Sequence, residues 1–569
     1  MRLVIEPNKY RSNLSKKVKL ERFNAEDTDQ LSFQVNGEAN TKSDPFFYSD
    51  QMSSFMVSSL PIEEQSTLII PAIRDLKKVT GPVSQAATSG YANQLRALLK
   101  SSGIYALASL ASPLVSLVLA PFLTRHLSYK DYGALAVITT AVALTVGLTQ
   151  LGLGSAFFRS YNYDYESRSD RLGVLSTVII LLTLLSLPII LAIILAAPQL
   201  AIFLLRDSSF TDVVRLGALV VLLQNLSVPG FAWLRAENRA GFFTTLSIIN
   251  LLVNLGTTLV MVGTLHMGIA GSLIGTGSGF AVVAICTLPL ILLRAGMHPR
   301  FDIARGLLSF GIPNASSFIS TWVLQLSDRY LLSLFATLAQ TAGYAVAYSL
   351  GGILNVVVLV PFTLAWPSAV YTIAKRDDAP RIFRLVFLWY SIVLLFAAFA
   401  LSLVSTITLD LFFPSTYRSA AAIIPIIALS TMFYGVYNIF AVGTAIRRKT
   451  WFVVFFTSSS ALVNVGLNLV LIPLYGAMGA AMSTLLAYAF LSMIAYIVNQ
   501  WIYPIPFEIS TFIIALMIGT GFYAGSSFLA RGRGTYETWS IFLCALVLYG
   551  GCLLLLGILS TRRNNITSR

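Results

Sequence analysis

Polar and apolar positions are mixed over roughly the first 93 residues, and "MRLVIEPNKYRSNLSKKVKLERF" holds no apolar core long enough for a signal peptide. From residue 97 onward, apolar runs follow one another with short polar links between them. A helix needs roughly 20 such residues to cross hydrocarbon. The runs predict fourteen spanning helices, at 97–122, 132–156, 172–195, 212–232, 241–263, 268–292, 306–335, 341–372, 383–407, 419–444, 451–472, 476–499, 507–529 and 538–560. The expected fold is all-α and polytopic, with residues 1–93 as a cytosolic, partly disordered extension.

The apolar text also repeats. "SSGIYALASLASPLV" opens the first predicted helix and "SFGIPNASSFISTWV" the seventh, placing Gly103 and Gly311 208 residues apart. "LVNLGTTLVMVGTLHMGIAGS" returns as "LVNVGLNLVLIPLYGAMGAAM", with Gly268 and Gly476 again 208 apart. Six helices separate the matching segments, and an even number restores the same direction through the membrane. Two parallel six-helix lobes are therefore expected, 97–292 and 306–499, facing a central cavity, with 507–560 as two additional helices. Small residues also permit close helix packing, which accounts for the individual glycines equally well. Prolines punctuate several runs, and Pro361 and Pro367 are the best candidates for a hinge.

Composition sharpens this reading. Of 569 residues, 56% are hydrophobic and 11% charged, against about 25% charged in a soluble domain. The net charge of +14 lies outside the first 80 residues, where 11 basic and 11 acidic side chains balance. Placing both termini in the cytosol puts 18 Lys and Arg on that side and 6 on the other, the bias that sets membrane topology. No basic stripe points to nucleic acid. Three scattered cysteines and three scattered histidines offer neither a disulfide framework nor metal-ligand spacing, and no nucleotide-binding or hydrolase motif is present.

Candidate chemistry concentrates in the seventh helix. Asn314, Ser317, Thr321, Gln325 and Asp328 fall on one helical face, with Arg329 at its border. The stripe is roughly 21 Å long, too deep for a solvent edge. Ionisable groups at such depth face a bundle interior or an aqueous cavity, and a guanidinium fork matches paired phosphate oxygens. Arg329 is read as an anion contact that Asp328 orients, or the two form a structural interhelical pair. Arg125 and Arg159, near helix ends, are further anion candidates or snorkelling arginines. Tyr344 and Tyr348, one turn apart, line a sugar path or pack between helices.

The chain resembles polysaccharide-biosynthesis flippases, the O-antigen and capsule branch of the multidrug, oligosaccharidyl-lipid and polysaccharide exporter superfamily. The resemblance covers about residues 97–500 and rests on "APFLTRHLSYKDYGALAV", "LGLGSAFFRSY", "WLRAENRAGFF" and "LSDRYLLSLFATLAQTAGYAVAYSL". It implies an inner (plasma) membrane protein, not an enzyme, that carries a polyprenyl-diphosphate-linked oligosaccharide from the cytosolic to the outer leaflet by alternating access. Arg329, Arg159 and Arg125 would meet the diphosphate or acidic sugars, and Gln325, Asn314 and Thr321 the hydroxyls. No cofactor is implied; proton or sodium coupling is, with Asp328 as the ion-sensitive group. Partners would be membrane lipids and a polysaccharide polymerase or synthase. Two alternatives stay open: a lipid II flippase, which a hydrophobic groove on the last two helices would favour, and a cation-coupled multidrug and toxic-compound extruder.

Overall fold

The computed structural model describes residues 118–165, 167–296, 298–449 and 451–567. The extension at 1–93 and most of the first predicted helix lie outside the described residues. The helices are α1 (118–126), α2 (Tyr129–Gln150), α3 (Leu153–Arg159), α4 (Arg168–Leu195), α5 (Ala197–Leu205), α6 (Thr211–Ala236), α7 (Ala240–Thr258), α8 (Gly268–Ala295) and α9 (Phe301–Phe335). They continue as α10 (Leu338–Gly351), α11 (Val360–Ile373), α12 (Ala379–Phe412), α13 (Ile424–Phe440), α14 (Val442–Ile446), α15 (Trp451–Ile502), α16 (Ile509–Leu529) and α17 (Thr535–Thr567). No strand occurs among the described residues. Eleven helices there are long and apolar enough to cross a membrane, as expected of a multi-pass membrane protein. Side chains such as Leu293 and Trp501 are more than four-fifths exposed on their outer faces, a surface suited to lipid rather than water.

The helix ends have local causes. Ser128 and Ser167 cap α2 and α4 by accepting from the backbone N–H of Asp131 and Asp170. Leu151 and Gly152, both at positive φ, divide the predicted 132–156 span into α2 and α3. The predicted 341–372 span is likewise interrupted: a π-wound turn at Asn355–Leu359 precedes α11, whose first turn holds Pro361. A proline has no N–H to donate, so the wide turn falls where the ladder loses a bond anyway.

α15 runs for 52 residues but reverses at Gly476, where φ is 57° and ψ −132°. Gly268, its partner in the sequence repeat, stands at φ 59° as α8 begins. Both glycines supply a left-handed turn between two apolar helices, and a Cβ at Gly476 would also run into the Gln340 side chain.

One apolar core joins the two halves of the sequence, bringing Tyr132 and Leu135 of α2 together with Leu338 and Ala342 of α10, and with Tyr417. Gly133 lies against the Leu338 carbonyl, where a side chain would not fit. Arginines close the same end. The Arg125 guanidinium donates to the carbonyls of Leu411 (3.2 Å) and Phe412 (3.1 Å), capping α12, and Arg206 donates to the Leu334 carbonyl near the end of α9. In the adjoining loop Lys130 pairs with Asp207 at 2.7 Å, and that hydrogen bond, helped by Ser209, holds the carboxyl well below the usual range. Separate cores fill the remainder of each half.

The Gly476 turn makes a prediction. Gly476→Ala should cost about 1–2 kcal/mol for the left-handed backbone and lower the thermal unfolding midpoint of detergent-solubilised protein. Gly466→Ala, in regular helix with open space around it, should leave the midpoint unchanged or raise it. Equal midpoints for the two variants would refute the turn's role.

Candidate functional site

A cavity of about 720 Å³ opens between α1, α2, α6, α7, α8, α9 and α10. Its basic groups are Arg329 on α9 and Arg235 at the end of α6. Arg329 lies over the Tyr348 ring, with its guanidinium carbon 4.4 Å from the centroid, and reaches back to the Gln325 carbonyl at 3.5 Å. Cation–π contact with a desolvated ring favours one orientation of the fork. Arg235 lies over Phe158 at 4.9 Å and Phe243 at 5.7 Å. The α7 wall presents Ser247, Asn250 and Asn254, and α8 adds Ser272 and Thr276.

Asp328 is not on that wall. One residue's rotation along α9 carries it into a fully buried cluster, where its carboxylate accepts from Tyr344 Oη (2.7 Å), Thr484 Oγ1 (2.7 Å) and Asn468 Nδ2 (2.6 Å). Asn468 Nδ2 also donates to Asn464 Oδ1 at 3.0 Å. Asn468 Oδ1, Asn464 Nδ2 and Ser460 Oγ are buried without a hydrogen-bond partner among the described residues. The Asp-Arg pair thus separates into a sealed carboxylate and a cavity-facing guanidinium.

The other sequence-predicted residues are dispersed. Tyr344 is buried with Asp328, its ring centroid 5.9 Å from that of Tyr348. Gln325 and Thr321 are half-buried on α9 and do not line the cavity. Asn314 belongs to α9, but its side chain falls outside the described residues. Arg159 is half-exposed at the end of α3, 3.5 Å from Asp164 and stacked on Phe310 at 4.8 Å. The Arg125 guanidinium is engaged with the end of α12. Sequence reading treated Arg235 only as a loop charge and did not single out Asn250 and Asn254. Their signal was present: Ser247, Asn250 and Asn254 share one face of an otherwise apolar helix.

A second cavity, about 650 Å³, lies between α16 and α17 and is almost wholly apolar, with Ile518, Phe522, Leu529 and Leu548 among its walls. Among the described residues no group of three His, Cys, Asp or Glu side chains could hold a metal ion.

Comparison with known proteins fits this architecture. The family model described as "Polysaccharide biosynthesis protein" matches residues 98–367. A solved structure of the lipid II flippase MurJ in an inward closed conformation is similar in fold at TM-score 0.64 and 17% identity, covering 81% of this chain and 99% of its own. An inward-facing multidrug resistance MATE family transporter of the MOP superfamily aligns at TM-score 0.54 and 14% identity, covering 69% of this chain and 94% of its own. No curated protein matches the chain. Over α1 to α10 and the first turns of α11 the chain is thus similar to the polysaccharide biosynthesis family, and across most of its length it shares a fold with solved flippase and transporter structures.

Proposed function

We propose that the chain carries a polyprenyl-diphosphate-linked saccharide from the cytosolic to the outer leaflet by alternating access. The observation that carries this reading is the cavity of about 720 Å³, with the Arg329 guanidinium on one wall and neutral amides on another. A guanidinium held over an aromatic ring suits a diphosphate, and amides suit sugar hydroxyls. Arginine disfavours the organic cations of an extruder. The reading includes fourteen spans, the eleven above with α9, the second leg of α15 and the predicted 97–122 helix added, two six-helix lobes, an inner-membrane location and both termini in the cytosol. Arg159 would act outside the cavity, at its cytosolic mouth, while Arg125 serves to end α12. A polymerase or synthase would receive the product.

Within this substrate class, lipid II is favoured over a longer oligosaccharide by two observations. The apolar cavity between α16 and α17 is a groove suited to a lipid chain outside the twelve-helix repeat. The fold also matches nearly the whole length of the MurJ structure. A polyprenyl tail in the groove would leave the headgroup free to enter the polar cavity.

The Asp328 cluster is proposed as the coupling site for sodium or a proton. Burying a carboxylate without a cation is costly even with three neutral donors. The two carboxylate oxygens and the Thr484 hydroxyl are hard oxygen donors suited to such a cation, and the carboxylate itself can take up a proton. Arg329 points elsewhere and does not pre-empt the charge.

Two predictions separate these roles. In proteoliposomes, Arg329→Ala should lower lipid II translocation by about 10-fold to 100-fold, the loss of charge-assisted hydrogen bonds, while Arg329→Lys retains part of it. Unchanged turnover in Arg329→Ala protein of native stability would remove Arg329 from the substrate path. For coupling, an imposed sodium or proton gradient should accelerate the wild type and leave Asp328→Asn insensitive. A wild-type rate that survives collapse of both gradients and the membrane potential would eliminate the coupled mechanism.

A further inference from the structure

The sequence repeat sets the Asp328 cluster beside a counterpart in the other half of the chain. At the 208-residue offset fixed by Gly268 and Gly476, Asp328, Tyr344 and Thr484 correspond to Ala120, Ala136 and Thr276. The "LVN" repeat, offset by 210, aligns Ser460, Asn464 and Asn468 with Asn250, Asn254 and Thr258. Local geometry agrees with the alignment. Asn464 Oδ1 accepts from residue 468 at 3.0 Å, and Asn254 Oδ1 accepts from Thr258 at 3.3 Å. Thr484 bonds back to the Ala480 carbonyl at 3.0 Å, and Thr276 to the Ser272 carbonyl at 3.1 Å.

The two versions differ in what fills them. In the second half the Asp328 carboxylate and the Tyr344 side chain are packed against Asn468 and Thr484, and the cluster is closed. In the first half both positions are alanine. Ala120, Ala136, Asn250, Asn254 and Thr276 all line the cavity that Arg329 enters from across it. Asn250 makes no side-chain hydrogen bond to the described residues, and Asn254 has only the Thr258 contact. Uncharged amides at this depth are costly in hydrocarbon and are retained where they face a cavity or a ligand.

We infer that this open counterpart is a saccharide subsite, in which Asn250, Asn254 and Thr276 hydrogen-bond the hydroxyl and acetamido groups of the first sugars while Arg329, on the opposite wall, takes the diphosphate. The inference rests on the flippase reading. Its chemistry is that of a ligand pocket, with a few convergent polar groups set among apolar and aromatic walls, here including Phe243 and Phe280. Recognition is divided between walls: Asn250, Asn254 and Thr276 of α7 and α8 meet the neutral sugar, and Arg329, across from them, the anion. A single ligand therefore spans the cavity, and each wall can be altered without the other.

The test compares two probes on the purified full chain in nanodiscs: undecaprenyl diphosphate, and undecaprenyl diphosphate bearing an N-acetylglucosamine-containing disaccharide. Wild type should bind the saccharide-bearing lipid about 10-fold or more tighter than the bare carrier, the worth of two neutral hydrogen bonds. The double variant Asn250→Leu/Asn254→Leu should bind the bare carrier as wild type does and lose the preference. Ala136→Tyr, which restores the bulk of the closed version, should lose it as well. Retained preference in both variants, equal loss of affinity for both lipids, or no preference in wild type would each overturn the subsite. If wild type binds neither lipid, the flippase reading itself fails.

Discussion

About 100° of rotation per helical residue decides the chemistry of α9. Asp328 and Arg329 are neighbours in sequence, yet one side chain is sealed among Tyr344, Asn468 and Thr484 while the other lies on Tyr348 at the edge of the polar cavity. Had they paired, the two charges would have cancelled and the cavity would offer an anion nothing but amides and hydroxyls on that wall. Keeping them apart requires that the carboxylate be satisfied elsewhere. Four helical segments, α9, α10 and both legs of α15, converge to do so.

That convergence depends on the Gly476 turn. The left-handed residue folds α15 back on itself, which sets Asn468 and Thr484 on opposite legs but against the same carboxylate. Gly268 makes the equivalent turn between α7 and α8, bringing Asn254 and Thr276 to one wall. A repeated backbone device thus presents polar groups twice. The residues that replace Asp328 and Tyr344 then decide whether the space is filled or open.

Much of the fold was legible because hydrocarbon imposes length and periodicity on every spanning segment. The apolar runs located the helices from residue 118 onward, and the spacing of Gly268 and Gly476 revealed the repeat. The helix interruption at Leu151 was not legible, since a left-handed turn leaves no mark on an apolar pattern, whereas the one at Asn355–Leu359 was signalled by Pro361 just after it. The polar face of α9 was readable as a stripe, but periodicity identifies a face without saying what covers it. Asp328 and Gln325 share that stripe, and neither lines the cavity; Arg329, at its border, does. The asparagines of α7 carried the same kind of signal and drew less notice because they bear no charge.

Charge draws attention in a membrane sequence because it is expensive, but the same expense makes a full charge the group a protein most needs to satisfy internally. Asp328 has three donors of its own, and the Arg125 guanidinium is occupied with the carbonyls that end α12. What remains on a cavity wall is the group whose partners are incomplete: a guanidinium stacked on a ring with one long backbone contact, and amides aligned along α7. A transporter has to release what it binds, and groups held in place by packing, with their hydrogen-bonding capacity only partly used, bind without demanding a permanent partner. The division between sealed and open polar clusters is therefore a division between what holds the bundle together and what it can offer a passing ligand.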